Sequence, residues 1–158
     1  EQDLRMTESI EKQLREQGVY VSTTVGVSMK PMLRNRRDRI VVRPLTEQTL
    51  KRFDVPLYRI PNGSYVLHRI IAVKDDHYVI RGDNTYVREH VPKDAVIGVL
   101  TEFYRGERHV LVTQRSYRLY AHLWNLLYPV RHVLHGARLF LGRLRRKLFP
   151  KKSTEDRK

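Results

Sequence analysis

The stretch Tyr65-Val66-Leu67-His68-Arg69-Ile70-Ile71-Ala72-Val73 is followed by Lys74-Asp75-Asp76, then by Tyr78-Val79-Ile80-Arg81 and Gly82-Asp83-Asn84. Two runs rich in β-branched and aromatic residues are thus each closed by turn residues, which reads as strand, turn, strand, turn. By strand alternation His68 shares a face with Val66 and Ile70, and Arg69 shares the other with Leu67 and Ile71. Working outward, similar short runs occur at Val19–Val27, Arg39–Arg43, Val55–Ile60, Val96–Tyr104 and His109–Thr113, with Pro61-Asn62-Gly63 as a further turn. Short strands at this spacing with no long helix between them predict a mainly β, antiparallel domain over residues 19–114. A charged helix is predicted before it, within residues 1–18, with Leu4, Ile10 and Leu14 as a thin apolar stripe.

After residue 114 the period changes. Leu119, Leu123, Leu126, Val130, Val133, Ala137, Phe140, Leu144 and Leu148 follow one another by three or four, a helical stripe over the region 115–150. Pro129 is expected to kink or split it. Arg131, Arg138 and Arg145 share another face, and Arg143, Arg146 and Lys147 widen the basic side. Residues 151–158 read as a polar tail.

The chain has 158 residues, 31 Lys+Arg against 17 Asp+Glu, and a formal net charge of +14. From Arg131 onward ten basic and two acidic residues give +8, and a second cluster comprises Arg34, Arg36, Arg37, Arg39 and Arg43. Such fields favour anionic partners. The Arg34–Arg43 cluster contains no aromatic residue for base stacking, which counts against nucleic acid. Cysteine is absent, which removes thiol catalysis and zinc-thiolate sites. The histidines show no pair with zinc-ligand spacing plus a third ligand, so no metal and no cofactor is expected. The longest uncharged stretch near the C-terminus, Leu119 to Val130, is twelve residues, short of the roughly 20 a spanning helix needs. The charged start, Glu1 to Glu16, has no secretory pattern. These features predict a cytoplasmic protein or one held peripherally at the cytoplasmic membrane.

Chemistry concentrates in Gly26-Val27-Ser28-Met29-Lys30-Pro31-Met32-Leu33, read as a strand running into a tight turn with the Ser28 hydroxyl at its exit. Backbone N–H groups of such a turn face a substrate carbonyl; by itself the pattern also fits a plain turn serine. His68, on an apolar strand face, reads either as a satisfied core residue or as a desolvated neutral imidazole of the kind a general base requires. Asp83, in the Gly-Asp-Asn turn, and Glu89, six residues on, are the carboxylates available to orient it, giving the order Ser, His, acid. Lys30 is two residues from Ser28 and does not fit Ser-x-x-Lys chemistry.

The run Gly26 to Met32 resembles the nucleophile box of type I signal peptidases, with Gly26, Val27, Met29 and Pro31 framing Ser28. Asp38-Arg39-Ile40-Val41-Val42 resembles the strand that follows it, with Arg37 in the place of a glycine. Asp54-Val55-Pro56-Leu57-Tyr58-Arg59 resembles the next box. Leu67-His68-Arg69-Ile70-Ile71 and Ile80-Arg81-Gly82-Asp83-Asn84 are similar to the His-Arg and Gly-Asp-Asn boxes of the endoplasmic-reticulum and archaeal branch, and Val96-Ile97-Gly98-Val99 to its closing strand. The resemblance covers about residues 20–105. It implies the signal-peptidase/LexA-type β fold and a serine endopeptidase in which His68 is the base. Glu89 aligns with the branch's acid, with Asp83 as second candidate. Gly26 lacks the hydroxyl some relatives place there, so the oxyanion would rest on backbone N–H groups such as that of Ser28. The expected partner is an extended leader or signal-like peptide docking as an added strand.

The family's membrane anchors have no counterpart in these residues. The basic helix is read instead as an interfacial anchor, with Arg131, Arg138, Arg143, Arg145, Arg146 and Lys147 toward anionic headgroups. Its other readings are packing on the β domain or a partner helix. A non-catalytic basic binding module on the same fold is the alternative to the peptidase.

Overall fold

A computed structural model of the chain describes residues 2–45 and 49–148, with side chains described for residues 10–45 and 49–143. The predicted tail 151–158 and the side chains of Leu4, Leu144, Arg145, Arg146, Lys147 and Leu148 lie outside these. The chain opens with α1 (Gln2–Gln17) and continues through β1 (Tyr20–Thr23), β2 (Arg39–Pro44), β3 (Pro56–Arg59), β4 (Tyr65–Leu67), β5 (Arg69–Val73), β6 (His77–Arg81) and β7 (Glu89–Pro92). A single 3-10 turn, Lys93–Ala95, leads to β8 (Val96–Arg105), β9 (Arg108–Leu111), α2 (Arg115–Leu126) and α3 (Tyr128–Leu148).

The larger sheet is an antiparallel half-barrel with the order β1-β2-β8-β3-β4, and β9 pairs with the second half of β8. The long β8 is its spine, alternating buried and half-buried residues from Val96 to Leu100 as a one-sided strand should. It takes β2 along most of its length and β3 along its first half. The smaller sheet is β5-β6-β7. Each sheet has its own core. One gathers Met32, Leu33, Val42, Leu57, Leu100 and Phe103 with Leu14 of α1 and Tyr117 of α2; the other gathers Tyr58, Ile70, Tyr78, Ile80 and Val91.

Three differences from the sequence reading have physical causes. The helices, of 16, 12 and 21 residues, carry as much of the chain as the strands do, so the class is mixed α/β around antiparallel sheets rather than mainly β. The run Tyr65–Val73 is two strands, not one. Tyr65–Leu67 pairs with β3, Arg69–Val73 pairs with β6, and the chain changes sheets at His68. Alternation is the same in both halves, so the pattern carries no mark of the change of partner. Glu89–Pro92, absent from the predicted strands, completes the second sheet through the register Ile80↔Glu89 and Tyr78↔Val91; four residues containing a Glu, a His and a Pro give no β signal.

The helical region divides between Leu126 and Tyr128, with Pro129 in the first turn of α3 where its missing N–H costs nothing. The compact unit holding the sheets extends through Asn125, and a second begins at Leu126. The expected boundary at 114/115 falls before α2, which instead packs into the sheet unit through buried Tyr117 and Ala121. Leu119 and Leu123 of the predicted stripe are exposed. The aromatic residues rather than the leucines form the docking face.

Candidate active site

Ser28 sits in the turn between β1 and β2 that the sequence predicts. Gly26 opens this turn with a φ of 102°, a left-handed value that a Cβ would strain. Its N–H donates to Asn35 Oδ1 at 2.9 Å. Val27 is exposed, Met29 and Met32 are buried anchors, and Leu33 N–H donates to the Met29 carbonyl at 2.9 Å. The far side of the loop is pinned by Asp38, fully buried, which accepts from the Arg34 backbone N–H at 2.8 Å and from Arg34 Nε at 3.0 Å. Arg105 reaches across to the carbonyls of Pro31 and Met32. A loop without regular structure is therefore held at its far end by buried Asp38, at its start by the exposed Gly26–Asn35 hydrogen bond, and in the middle by methionine side chains.

The Gly82-Asp83-Asn84 turn lies directly against it. Asn84 N–H donates to the Ser28 carbonyl at 2.7 Å, and Asn84 Nδ2 to the Val27 carbonyl at 3.2 Å. A Cβ on Gly82 would stand 2.8 Å from the Ser28 carbonyl oxygen and 3.1 Å from His68 Nε2. Only a residue without a side chain fits between the Ser28 carbonyl and the imidazole here. His68 Nε2 and the Ser28 turn thus meet over the same Cα. Among the described residues no hydrogen bond engages the Ser28 hydroxyl, and no carbonyl takes up the Ser28 N–H.

His68 is 8% exposed. Its Nδ1 lies 2.9 Å from Glu89 Oε1 and 3.1 Å from Tyr58 Oη, and Tyr58 donates its only proton to Glu89 Oε2 at 2.6 Å. The tautomer follows. With the phenol proton committed to Glu89, both groups facing Nδ1 are acceptors, so Nδ1 carries the hydrogen and Nε2, beside Gly82, carries a lone pair. Burial pushes the imidazole below its ordinary value, opposed by Glu89 and more weakly by Asp83. Burial and Glu89 together push the Tyr58 phenol well above its usual range, so it remains a donor.

Of the two candidate acids, Glu89 reaches His68. The Asp83 carboxylate instead grips Arg69 in a two-point pair, Nε to Oδ1 at 2.7 Å and Nη2 to Oδ2 at 2.8 Å, with Arg69 fully buried. Arg69 Nη1 also donates to the Phe53 carbonyl at 3.0 Å and to Tyr117 Oη at 3.1 Å. Helix α2 closes over this pair. Tyr120 donates to Asp83 Oδ2 at 3.0 Å, and Trp124 Nε1 donates to the Asp83 carbonyl at 2.9 Å. Asp83 accordingly fixes the turn that carries Gly82, rather than the ring of His68. The structure therefore brings Ser28, His68, Glu89, Gly26, Val27 and Met29 to one locality, with Pro31 on the outer side of the turn; Arg131, Arg138 and Arg143 belong to the second unit.

Tyr58, Gly82 and the Arg69–α2 clasp are functional or supporting residues that the sequence reading passed over. Tyr58 and Glu89 are 31 residues apart, and nothing in either segment announces the other. A glycine before Asp-Asn reads as an ordinary turn residue until the groups it lies against are known. No protein-family model and no curated protein matches this chain.

Proposed function

We propose that the protein is a serine endopeptidase of the signal peptidase type, with Ser28 as nucleophile, His68 as general base and Glu89 as the group that orients it. The single observation that carries this reading is the imidazole: buried, its Nδ1 held by Glu89, its Nε2 turned to the Ser28 turn across Gly82. The resemblance of residues 20–105 to the signal-peptidase/LexA fold supports the same reading, and so does the half-barrel with its second small sheet.

In the reaction, Nε2 takes the Ser28 proton as Oγ attacks the scissile carbonyl, and the carbonyl oxygen becomes an oxyanion held by backbone N–H donors that include Ser28 itself. Glu89 stabilises the imidazolium formed. His68 then protonates the leaving amine, and a water activated by the same nitrogen clears the acyl-enzyme. Apo sites commonly carry a long nucleophile–base contact that tightens when substrate arrives. The substrate is an extended peptide. The strands at the two ends of the half-barrel order, β1 and β4, lead into Ser28 and His68 respectively, which suits a peptide added as a further strand.

The basic-module alternative draws on the arginine cluster around the same turn, but Arg34 is committed to buried Asp38 there. The two readings separate on labelling by a fluorophosphonate, read by intact mass. The peptidase reading expects one adduct that is lost in Ser28→Ala and His68→Ala and reduced in Glu89→Ala. An adduct that persists in Ser28→Ala would overturn it.

A further inference from the structure

Helix α3 has 21 residues, six Lys/Arg and no acidic residue. At the helical period, Val130, Val133, Leu134, Ala137, Phe140 and Leu141 fall within an arc of about 120°. Arg131 and Arg138 flank that arc on one side, and Arg143 lies on the far face with Leu139. The apolar arc is exposed: Val133 at 70%, Phe140 at 66% and Leu141 at 60%. An amphipathic helix lays such an arc against a partner. No helix of the described residues is long and apolar enough to cross a membrane.

We infer that α3 is a docking surface for an anionic lipid bilayer, lying in the plane of the interface with its apolar arc among the acyl chains and its arginines at the headgroups. Charge complementarity selects this occupant. An apolar partner helix would not complement the basic side of α3, and nucleic acid would leave the apolar arc in water. A bilayer containing anionic lipid answers both at once, and about 30 Å of helix laid flat offers a long contact. This binding is independent of the peptidase reading, because it uses neither Ser28 nor His68.

The test is flotation of the full-length chain with vesicles of phosphatidylcholine plus phosphatidylglycerol, against vesicles of phosphatidylcholine alone. The chain is expected to float with the mixed vesicles, much less with the neutral ones, and less again in high salt. Replacing Arg138, which flanks the arc, by Gln is expected to weaken binding about fivefold, and replacing Arg143, on the far face, by less than about twofold. Phe140→Ser and Leu141→Ser are expected to weaken it more than about tenfold, whereas Leu139→Ser, on the polar face, stays within about twofold. Ser28→Ala should float as wild type does. An unchanged thermal unfolding transition establishes that each variant keeps its folded sheets. Failure of the wild type to float, or equal losses for Leu139→Ser and Leu141→Ser, would overturn the inference. Absent flotation together with DNA binding that Phe140→Ser leaves intact would assign the charge to nucleic acid instead.

Discussion

At His68 two influences oppose each other: burial disfavours the imidazolium, and the Glu89 carboxylate favours it, with burial the larger. The folded ring therefore titrates below its ordinary value of 6.5. As the base must be neutral, peptidase activity is expected to be full at neutral pH and to fall only as pH drops through a value below 6.5. Glu89→Gln removes the opposing charge, so the acid limb should move to still lower pH while kcat/KM falls by about 10²–10⁴-fold. A pH–rate profile checks both, and an unmoved limb would contradict the assignment. Stability has the matching sign. Between the folded and unfolded pKa values the unfolded chain binds more protons, so this histidine's contribution is fully present above 6.5 and is lost as pH falls toward the folded value. Asp83 behaves differently from Glu89. Asp83→Ala leaves the Arg69 guanidinium buried without its carboxylate and should cost roughly 3–5 kcal/mol in denaturant unfolding. Glu89→Ala leaves the buried Tyr58 hydroxyl and the His68 ring N–H without their carboxylate and should cost about 1–3 kcal/mol.

At the scale of elements, the site depends on three pieces that are distant in sequence. The β1–β2 turn carries Ser28, the crossover between β4 and β5 carries His68, and the turn after β6 carries Gly82 between them. Gly82→Ala tests that juxtaposition. Its methyl group would meet a backbone carbonyl at 2.8 Å, so the Ser28 turn must move, and activity should fall by about 10²-fold or more because small misplacements at the reacting atoms are costly. The unfolding midpoint should fall too, because the methyl meets backbone rather than the end of a flexible side chain. Helix α2 is the outer brace of the same turn, through Tyr120 and Trp124 on Asp83. The sequence made most of the strands and the split near Pro129 legible, because alternation and turn residues are local signals, and it singled out Ser28 and His68, which flank Gly82 in the fold. It left the choice between Glu89 and Asp83 open, since both follow His68 at plausible distances along the chain. What settles the matter is that Arg69, one residue after His68, points to the opposite face and takes Asp83. The period-2 pattern had put those two side chains on opposite faces, but the identity of each partner is a tertiary fact. The α2 docking face is not legible in the sequence for a related reason. Leucines at helical spacing look like the core, while the residues that actually pack are aromatic groups with a hydroxyl or indole N–H to satisfy.

Across the whole molecule, both hydrophobic cores and every residue of the candidate site belong to the unit that ends at Asn125. Among the described residues no buried side chain lies beyond Ala121. A chain ending at Asn125 is therefore expected to keep its unfolding midpoint within a few degrees, to retain the Ser28 chemistry and to lose vesicle binding. The alternative, a shared fold, would appear as a large drop in the midpoint. Within the +14 net charge, Arg34 near Ser28 is committed to Asp38. The measurement that bears most directly on the central claim is digestion of a defined mixture of extended peptides by the full-length protein in the presence of anionic vesicles, read by mass spectrometry. Cleavage at a consistent site, abolished by Ser28→Ala and by His68→Ala and strongly slowed by Glu89→Ala, is the predicted result. Cleavage that survives Ser28→Ala, or no cleavage of any peptide by the wild-type chain, would contradict the account.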